Sequence, residues 1–251
     1  MFLARCGPLR FRFGGVLRRG NFSGPDGLSN GKPNAVDLML ERNEVWRKTI
    51  LHEDPTFFER CAQKQSPEVL FIGCSDSRVS AEVILGAGVG ELFVHRNIAN
   101  VVINTDMSCL SVIQYAVTVL KVNHIIVCGH YECGGVKAAL DGKPLGLIDN
   151  WLRNIQDVYR LHAPILDKLE GEEKMRRLVE KNTAESVLNL YKNAFVQQER
   201  AQRGGPKVHG LVYDIKNGRL KRISVDIPAY LRKFSHIYTY EDGTGNRKPT
   251  E

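Results

Sequence analysis

The sequence lacks three features that would each assign it to a large class of proteins. It has no apolar run long enough to cross a bilayer, because its longest runs, such as residues 125–129, have the length of a strand. Its six cysteines include no Cys-x-x-Cys pair, the spacing typical of thiol redox enzymes. It also has no uninterrupted apolar core like that of a secretory signal, so we expect reduced thiols and no disulfide framework.

The first 24 residues contain no acidic side chain. They do contain five arginines interspersed with phenylalanines and leucines, namely Arg5, Arg10, Arg12, Arg18 and Arg19. An arginine-rich, acid-free and amphipathic segment is the signature of an organelle transit peptide, most like a mitochondrial one. We predict a transit peptide over residues 1–24 and a location in the mitochondrial matrix. The alternatives are a plastid, or the cytoplasm if the basic extension is simply retained.

The rest of the chain has the composition of one globular domain. Of the 251 residues, 43% are hydrophobic and 25% are charged, which is near the average for globular proteins. The formal net charge of +7 falls to +2 when the five leader arginines are subtracted, so the main argument for a nucleic-acid partner disappears. We predict a linker over residues 25–34, a catalytic domain over residues 35–237 and a mobile polar tail over residues 238–251.

Residues 69–78, Val-Leu-Phe-Ile-Gly-Cys-Ser-Asp-Ser-Arg, combine a buried-strand pattern with a polar end. Apolar residues fill five of the six positions up to Cys74, which is typical of a strand buried on both faces of a mostly parallel sheet. Cys74, Asp76 and Arg78 alternate with serines, so they project to one side if the extended chain continues. Ligands bind at the carboxyl ends of strands in open α/β sheets, which makes these side chains candidate site residues.

A second apolar run, residues 124–130, ends at His130 and is followed by Cys133 and two glycines. A His and a Cys three residues apart on a strand-to-helix turn can both point at one ion. With Cys74 they form a Cys2His set, which zinc takes in catalytic sites that keep a fourth position open. Either residue type alone is more often a core thiol or a turn histidine. At the ends of two similar strands, the three together predict a zinc site.

The remaining periodicity predicts helices between the strands. Residues 106–121 show apolar positions at three- and four-residue steps, and residues 36–48, 151–161 and 172–202 also predict helices. Asp54-Pro55 predicts a further short helix with Pro55 at its first position, and Ser80 is a candidate helix cap. An Asn-Gly turn at residues 217–218 predicts a hairpin. Alternating helices and strands indicate an α/β fold with a mostly parallel central sheet flanked by helices.

The paired motifs Cys74-Ser-Asp-Ser-Arg78 and His130-x-x-Cys133-Gly-Gly resemble those of the β-class carbonic anhydrases, and the similarity extends over about residues 35–227. The resemblance implies zinc held by Cys74, His130 and Cys133. It implies that Asp76 is either a fourth ligand in a closed state or the partner of Arg78 in an open one. The implied activity is reversible hydration of CO2 to bicarbonate and a proton by zinc-bound hydroxide, oriented by this Asp-Arg dyad.

The resemblance also implies a narrow apolar CO2 pocket that closes across a dimer interface. The positions that match its lining are Gln65, Phe93, Ile98, Tyr115 and Gly134. The implied assembly is a homodimer or a dimer of dimers, with N-terminal helices that extend over the partner subunit. Some bacterial members have a tryptophan at the position of Phe71, as part of an inhibitory bicarbonate site, so that regulation is not implied here. No nucleic-acid or membrane partner is expected.

The chemistry of the donor set explains why an acid and an arginine would be needed. Two thiolates cancel the formal charge of zinc, so this site should be a weaker Lewis acid than one with three imidazoles. Asp76, held by Arg78 in a bidentate pair, stays ionised and can only accept hydrogen bonds, which would orient the attacking group. The competing interpretation of these two residues is a plain surface ion pair.

Two other functions are compatible with the same residues. A structural zinc site would use Asp76 as a permanent fourth ligand, since structural sites are closed, but such a ligand needs no partner like Arg78. Thiol redox chemistry at Cys74 or Cys133 is the third interpretation, although the neighbouring histidine suits a metal better. His95 is a chemically suitable proton carrier, but a histidine in a strand is more often structural.

Overall fold

The structure is a computed structural model that describes residues 34–234 and 236–238. The predicted transit peptide, almost all of the linker, and the tail after Tyr238 lie outside the described residues, so these assignments stay predictions. The chain divides into two compact units, residues 1–65 and residues 66–251.

Two helices form the described part of the first unit, α1 (Ala35–Glu53) and α2 (Phe57–Gln63). Asn34 begins α1 with a capping box, because its side chain accepts hydrogen bonds from two backbone N–H groups of the first turn. Asp54 follows the last residue of α1 and accepts a 2.9 Å hydrogen bond from Nη1 of Arg60 in α2. Trp46 and Phe58 meet edge to face at 5.5 Å between ring centroids. These contacts join the two helices.

The prediction that Pro55 opens the second helix is wrong. Pro55 lies in the turn between the helices, and α2 begins two residues later at Phe57. The side chain of Phe57 is buried, as expected of an apolar anchor. Thr56 precedes the helix but makes no capping hydrogen bond through its side chain.

A five-stranded sheet forms the centre of the second unit and confirms the α/β fold. Its strands are β1 (Val69–Cys74), β2 (Leu92–Asn97), β3 (His124–His130), β4 (Lys207–Asp214) and β5 (Arg219–Arg222). The strand order is β2-β1-β3-β4-β5, with the first four strands parallel and β5 antiparallel to β4. β1 and β3 are neighbours, so their carboxyl ends meet at one edge of the sheet. The predicted hairpin is confirmed as β4 and β5.

Eight helices of the described residues in the second unit connect or follow the strands. They are α3 (Ala81–Leu85), α4 (Met107–Gln114), α5 (Gly134–Asp141), α6 (Ile148–Leu161), α7 (Ala163–Leu166), α8 (Gly171–Lys192), α9 (Ala194–Arg203) and α10 (Ile227–Phe234). A 3-10 turn, Ile98–Asn100, follows β2, and a π-helical turn, Tyr115–Val119, follows α4.

Three details differ from the sequence-based expectations. The helix predicted over residues 106–121 changes to π-helical geometry at Tyr115. The helix predicted over residues 172–202 is interrupted at Asn193, whose side chain accepts from the backbone N–H groups of Phe195 and Val196 and so begins α9. Ser80 precedes α3 but makes no capping hydrogen bond.

The interior strand β1 is buried on both faces, as its apolar run predicts. Leu70 and Ile72 pack on one side of the sheet with Ile113 of α4, whereas Phe71 packs on the other side with Ala81 of α3. Full burial of each of these large side chains stabilises the fold by about 1.5–3 kcal/mol. The strand end that carries Cys74 is therefore anchored from both sides of the sheet.

Among the described residues, no helix has both the length and the apolar character needed to span a membrane.

Candidate metal centre

Three donor side chains converge at the carboxyl edge of the sheet. Cys74 is the last residue of β1, His130 is the last residue of β3, and Cys133 immediately precedes α5. Their donor atoms all lie within 4.8 Å of one another, and the two Sγ atoms are 4.0 Å apart. All three residues are buried, with His130 at 0% exposure. The structure thus brings together the three residues predicted as metal ligands.

The orientation of His130 leaves one ring nitrogen available to a metal. Nδ1 lies 2.9 Å from the backbone oxygen of Tyr131, which can only accept, so Nδ1 carries the proton. Nε2 then has a lone pair, and it is buried with no hydrogen-bond partner among the described residues. An unpartnered buried nitrogen is costly unless something absent from the protein chain satisfies it. A metal ion coordinated by Nε2 would do so, with Nδ1–H fixing the tautomer.

The two sulfurs lie where a negative charge is stabilised. The hydrogen bond from Cys133 is the main cause that lowers the pKa of Cys74 to about 4, although burial opposes it. The backbone N–H of Ala99 also donates to Sγ of Cys74 at 3.4 Å. Sharing a proton with Cys74 raises the pKa of Cys133, and its burial acts in the same direction. At least one of the two cysteines is therefore a thiolate, and a bound divalent cation would favour ionisation of both.

The donor set and its dimensions fit zinc. Cysteine sulfur and histidine nitrogen are its usual ligands, and Zn–S bonds of about 2.3 Å in tetrahedral geometry put two sulfurs about 3.8 Å apart. The observed separation of Cys74 and Cys133 is 4.0 Å. Three protein donors leave a fourth position for a small molecule, as in catalytic zinc sites.

Asp76 and Arg78 form a bidentate ion pair beside this cluster. Nε and Nη2 of Arg78 donate to the two carboxylate oxygens of Asp76 at 2.9 and 2.7 Å. The backbone N–H of Arg78 adds a third bond at 2.9 Å. These hydrogen bonds hold the pKa of Asp76 well below its usual range. Oδ2 of Asp76 lies 3.9 Å from Nε2 of His130, so the ionised carboxylate faces the metal donors.

The chain segment that carries Asp76 is a turn and not a continuation of the strand. β1 ends at Cys74, and the backbone N–H of Val79 donates to the carbonyl of Asp76 at 3.0 Å. The expectation that strand alternation brings Asp76 and Arg78 to one side is therefore wrong. The turn itself brings them together.

Arg96 is a site residue that the sequence did not identify. Its Nε donates to the backbone oxygen of Cys74 at 2.8 Å, and its Nη2 donates to that of Asp76 at 2.6 Å. Arg96 thus fixes both ends of the turn that carries a metal donor and the acid. The sequence alone does not reveal these contacts of Arg96, because they depend on the register of β1 and β2, which pairs Gly73 with Arg96.

The predicted pocket residues occupy different parts of the chain. Phe93 of β2 and Tyr115 are in contact, with ring centroids 5.8 Å apart. Ile98 and Tyr115 are 37% and 43% exposed, so the described residues of one chain do not fully cover their apolar surfaces. Gly134 directly follows the donor Cys133 and begins α5. Gln65 is exposed and belongs to the first unit.

A second group of potential ligands combines His95 of β2 with two residues at the start of α4. The ligand atoms of His95, Asp106 and Cys109 also fall within 4.8 Å of one another. Asp106 caps α4 by accepting from two backbone N–H groups, and Nε2 of His95 faces the side-chain amide of Asn97 at 3.4 Å. Burial lowers the pKa of His95 and raises that of Cys109 to about 12. His95 is buried, which does not favour the proton-carrier role.

Comparisons with known proteins place this chain among the carbonic anhydrases. The family model described as carbonic anhydrase matches residues 69–220. A carbonic anhydrase from Emericella nidulans is 51% identical over 209 residues, which cover 83% of this chain and 92% of that protein. The crystal structure of a β-carbonic anhydrase from Aspergillus fumigatus matches with a TM-score of 0.78 at 36% identity, covering 83% of this chain and all of that one. A tetrameric β-carbonic anhydrase from Sordaria macrospora matches with a TM-score of 0.74 at 40% identity, covering 76% of this chain and 98% of that one.

Proposed function

We propose that this chain, which belongs to the β class of the carbonic anhydrase family, catalyses the reversible hydration of CO2 to bicarbonate and a proton at a zinc ion held by Cys74, His130 and Cys133. One observation carries the metal assignment. In the part of the chain that the structure describes, Nε2 of His130 is buried without a hydrogen-bond partner, and the ligand atoms of His130, Cys74 and Cys133 lie within 4.8 Å of one another. When bound, zinc would supply a water molecule that ionises near neutral pH.

Asp76 orients the reacting water in this proposal. Its carboxylate is ionised because Arg78 donates to both oxygens, so it can only accept a hydrogen bond. A water that donates to Asp76 has a fixed direction for its lone pairs, which reduces the orientational cost of attack on CO2. Arg78 is required in this role because its planar guanidinium fixes the plane of the carboxylate, whereas a lysine would supply only a point charge.

The arrangement of Asp76 supports a catalytic site over a structural one. A structural zinc site would use the carboxylate as its fourth ligand, since such sites are closed. Here both carboxylate oxygens accept from Arg78, and Arg78 also donates from Nη2 to the backbone oxygen of Glu132 at 3.3 Å. The carboxylate is therefore held by the arginine, and a zinc ion bound by Cys74, His130 and Cys133 would keep its fourth position for solvent.

We further propose that a second copy of the chain completes the CO2 pocket. Phe93, Ile98, Tyr115 and Gly134 would line the pocket together with Gln65. The exposed apolar surfaces of Ile98 and Tyr115 support coverage by another subunit. Self-association is supported by the tetrameric relative from Sordaria macrospora. The proposed assembly is a homodimer or a dimer of dimers, with the helices of the first unit extended over the partner.

The proposed location is the mitochondrial matrix. It rests on the arginine-rich, acid-free composition of residues 1–24. Residues 1–34 fused to a fluorescent reporter should direct it to mitochondria, and replacement of the five arginines by glutamine should abolish import. A reporter that stays in the cytoplasm, or enters a plastid, would contradict the assignment.

Zinc analysis combined with stopped-flow CO2 hydration tests the enzyme assignment in one preparation. One zinc per chain and a hydration rate that rises through an alkaline transition would support the proposal. Zinc without turnover would instead identify a structural site. A folded protein that neither retains zinc nor hydrates CO2 would refute the function.

A further inference from the structure

Tyr131 lies between two of the metal donors, and its main chain contacts one of them directly. Its backbone oxygen accepts from Nδ1 of His130 at 2.9 Å, and its backbone N–H donates to the carbonyl of Tyr213 at 3.0 Å. The rotation of the imidazole therefore depends on where the Tyr131 carbonyl is held. Its side chain is 3% exposed and extends away from the metal centre to α8.

Two residues of α8, one helical turn apart, clamp this side chain. The guanidinium of Arg176 lies 3.5 Å from the centroid of the Tyr131 ring, close enough for a cation–π contact. The hydroxyl of Tyr131 donates to Oε1 of Glu180 at 2.7 Å. The ring is thus fixed on its face by a cation and at its tip by a carboxylate.

Further charges hold the clamp in place. Glu180 also accepts from Lys221 of β5 at 2.8 Å and from Arg177 at 3.1 Å, whereas Arg176 contacts Asp214 at the end of β4 at 3.3 Å. Burial alone would raise the pKa of Glu180, but the hydrogen bonds from Lys221 and Tyr131 lower it. Glu180 is therefore an ionised acceptor, and the tyrosine hydroxyl is its donor.

The next residue connects the same turn to the catalytic arginine. Glu132 has a φ of 59°, in the left-handed region that non-glycine residues rarely adopt. In this conformation its backbone oxygen accepts from Nη2 of Arg78 at 3.3 Å. A strained residue persists only where its surroundings hold it, and the clamped Tyr131 is its neighbour in the chain.

We propose that Tyr131, clamped by Arg176 and Glu180, is a positioning residue that sets the orientation of His130 and, through the Glu132 carbonyl, of Arg78. This inference rests on the proposed zinc-dependent function. Partners of metal-bound histidines typically change metal affinity by about 10–100-fold when they are altered. Because Tyr131 acts through its backbone, loosening its side chain should raise the rate of metal loss.

The test compares Tyr131→Phe, Tyr131→Leu and Glu180→Gln with a matched control, Tyr159→Phe. The hydroxyl of Tyr159 also donates to a carboxylate, that of Asp167, at 2.6 Å, and Lys174 lies over its ring. Unlike Tyr131, Tyr159 is not adjacent in sequence to any of the three proposed metal ligands. The measurements are the rate of zinc transfer to a chromophoric chelator, the visible spectrum of the cobalt-substituted protein and the pH profile of CO2 hydration.

We expect Tyr131→Leu to release zinc about tenfold faster and to change the cobalt spectrum, with smaller changes in Tyr131→Phe and Glu180→Gln. Tyr159→Phe should match the wild type in all three measurements. If Tyr131→Leu does not fold, the other two variants decide, because they keep the ring or leave the tyrosine intact. Unchanged zinc release and unchanged spectra in folded variants would overturn the inference. A wild-type protein without zinc or activity would instead overturn the proposed function.

Discussion

Arg78 donates to both carboxylate oxygens of Asp76, and the same carboxylate lies 3.9 Å from the unpartnered nitrogen of His130. The acid is therefore held by one side chain while it faces the metal donors. In the proposed mechanism, Arg78 would keep Asp76 available to a water molecule.

Asp76→Asn and Arg78→Lys should keep zinc but lose most CO2 hydration. The amide would present a donor where an acceptor is needed, and the lysine could not fix the carboxylate plane. Misorientation of this kind costs on the order of 100-fold in rate. Stopped-flow assays and zinc analysis of the same samples would measure both effects.

The matched control for that experiment is Arg47→Lys. Arg47 also donates from Nε and Nη2 to both oxygens of a carboxylate, that of Glu44, but within the exposed helix α1. Hydration rates for Arg78→Lys within a few-fold of those for Arg47→Lys would contradict the role of the dyad.

Cys74→Ser should lower the zinc content below one per chain, whereas Cys128→Ser should leave it unchanged. Both thiols are buried, but only Cys74 belongs to the donor cluster. Removal of zinc from the wild type by a chelator should lower the melting temperature, and zinc at a hundred times its Kd should restore about 2.7 kcal/mol of unfolding free energy. Metal analysis and calorimetry measure these effects. Equal zinc contents in the two variants would refute the assigned donors.

Gly134→Ala should fold normally but turn over CO2 more slowly. A Cβ at Gly134 would meet no atom of the described residues within 4 Å, its chain neighbours aside, so we expect no loss of stability. One methylene group more or less in a hydrophobic pocket changes kcat/KM by about 10–200-fold, and we expect a decrease within this range. The measurements are the melting temperature and kcat/KM.

Gly135→Ala is the informative comparison. Its Cβ would lie 2.7 Å from Cγ2 of Ile98, so this substitution should lower stability as well as activity. Full activity of Gly134→Ala in the assembled protein would place Gly134 outside the CO2 pocket.

The contact between α1 and α2 should weaken in acid. Hydrogen bonds from Arg60 lower the pKa of Asp54 to about 2 from its usual 3.8. Because the folded-state pKa is depressed, the stabilisation is complete above pH 3.8 and is lost as the pH falls towards 2. The emission of Trp46, which contacts Phe58 of α2, should report this transition in a Trp151→Phe background.

Asp54→Asn should remove that acid transition, and Glu44→Gln should keep it. Glu44 also has a pKa lowered to about 2, mainly by its hydrogen bond with Arg47, but that pair lies within one helix. The measurement is the pH titration of Trp46 emission in the parent, Asp54→Asn and Glu44→Gln proteins. An acid transition in Asp54→Asn like that of the parent would contradict the assignment of the transition to Asp54.

The sheet and the three donors were predictable because local patterns determine them. The apolar runs that end at Cys74 and His130 gave both strands with their observed bounds. The ligand residue types at those ends then indicated the metal centre. Both inferences require only that parallel strands end at the same edge of a sheet.

Contacts between distant segments were not predictable from those patterns. Arg96 reaches Cys74 and Asp76 only through the register of β1 and β2. His162 pairs with Glu185 at 3.0 Å, 23 residues further along the chain. The side chain of Tyr131 meets α8 for the same reason. Each contact depends on the packing of separate elements.

The separation of the donors along the chain has a mechanical consequence. Cys74 and Cys133 are 59 residues apart, at the end of β1 and in the loop that follows the adjacent parallel strand β3. A shared ion would close that stretch into a ring and lower the entropy of the unfolded chain, as a covalent crosslink of similar span does. The metal would then fasten one end of the sheet as well as serve the reaction, and its loss would let the two strand ends separate.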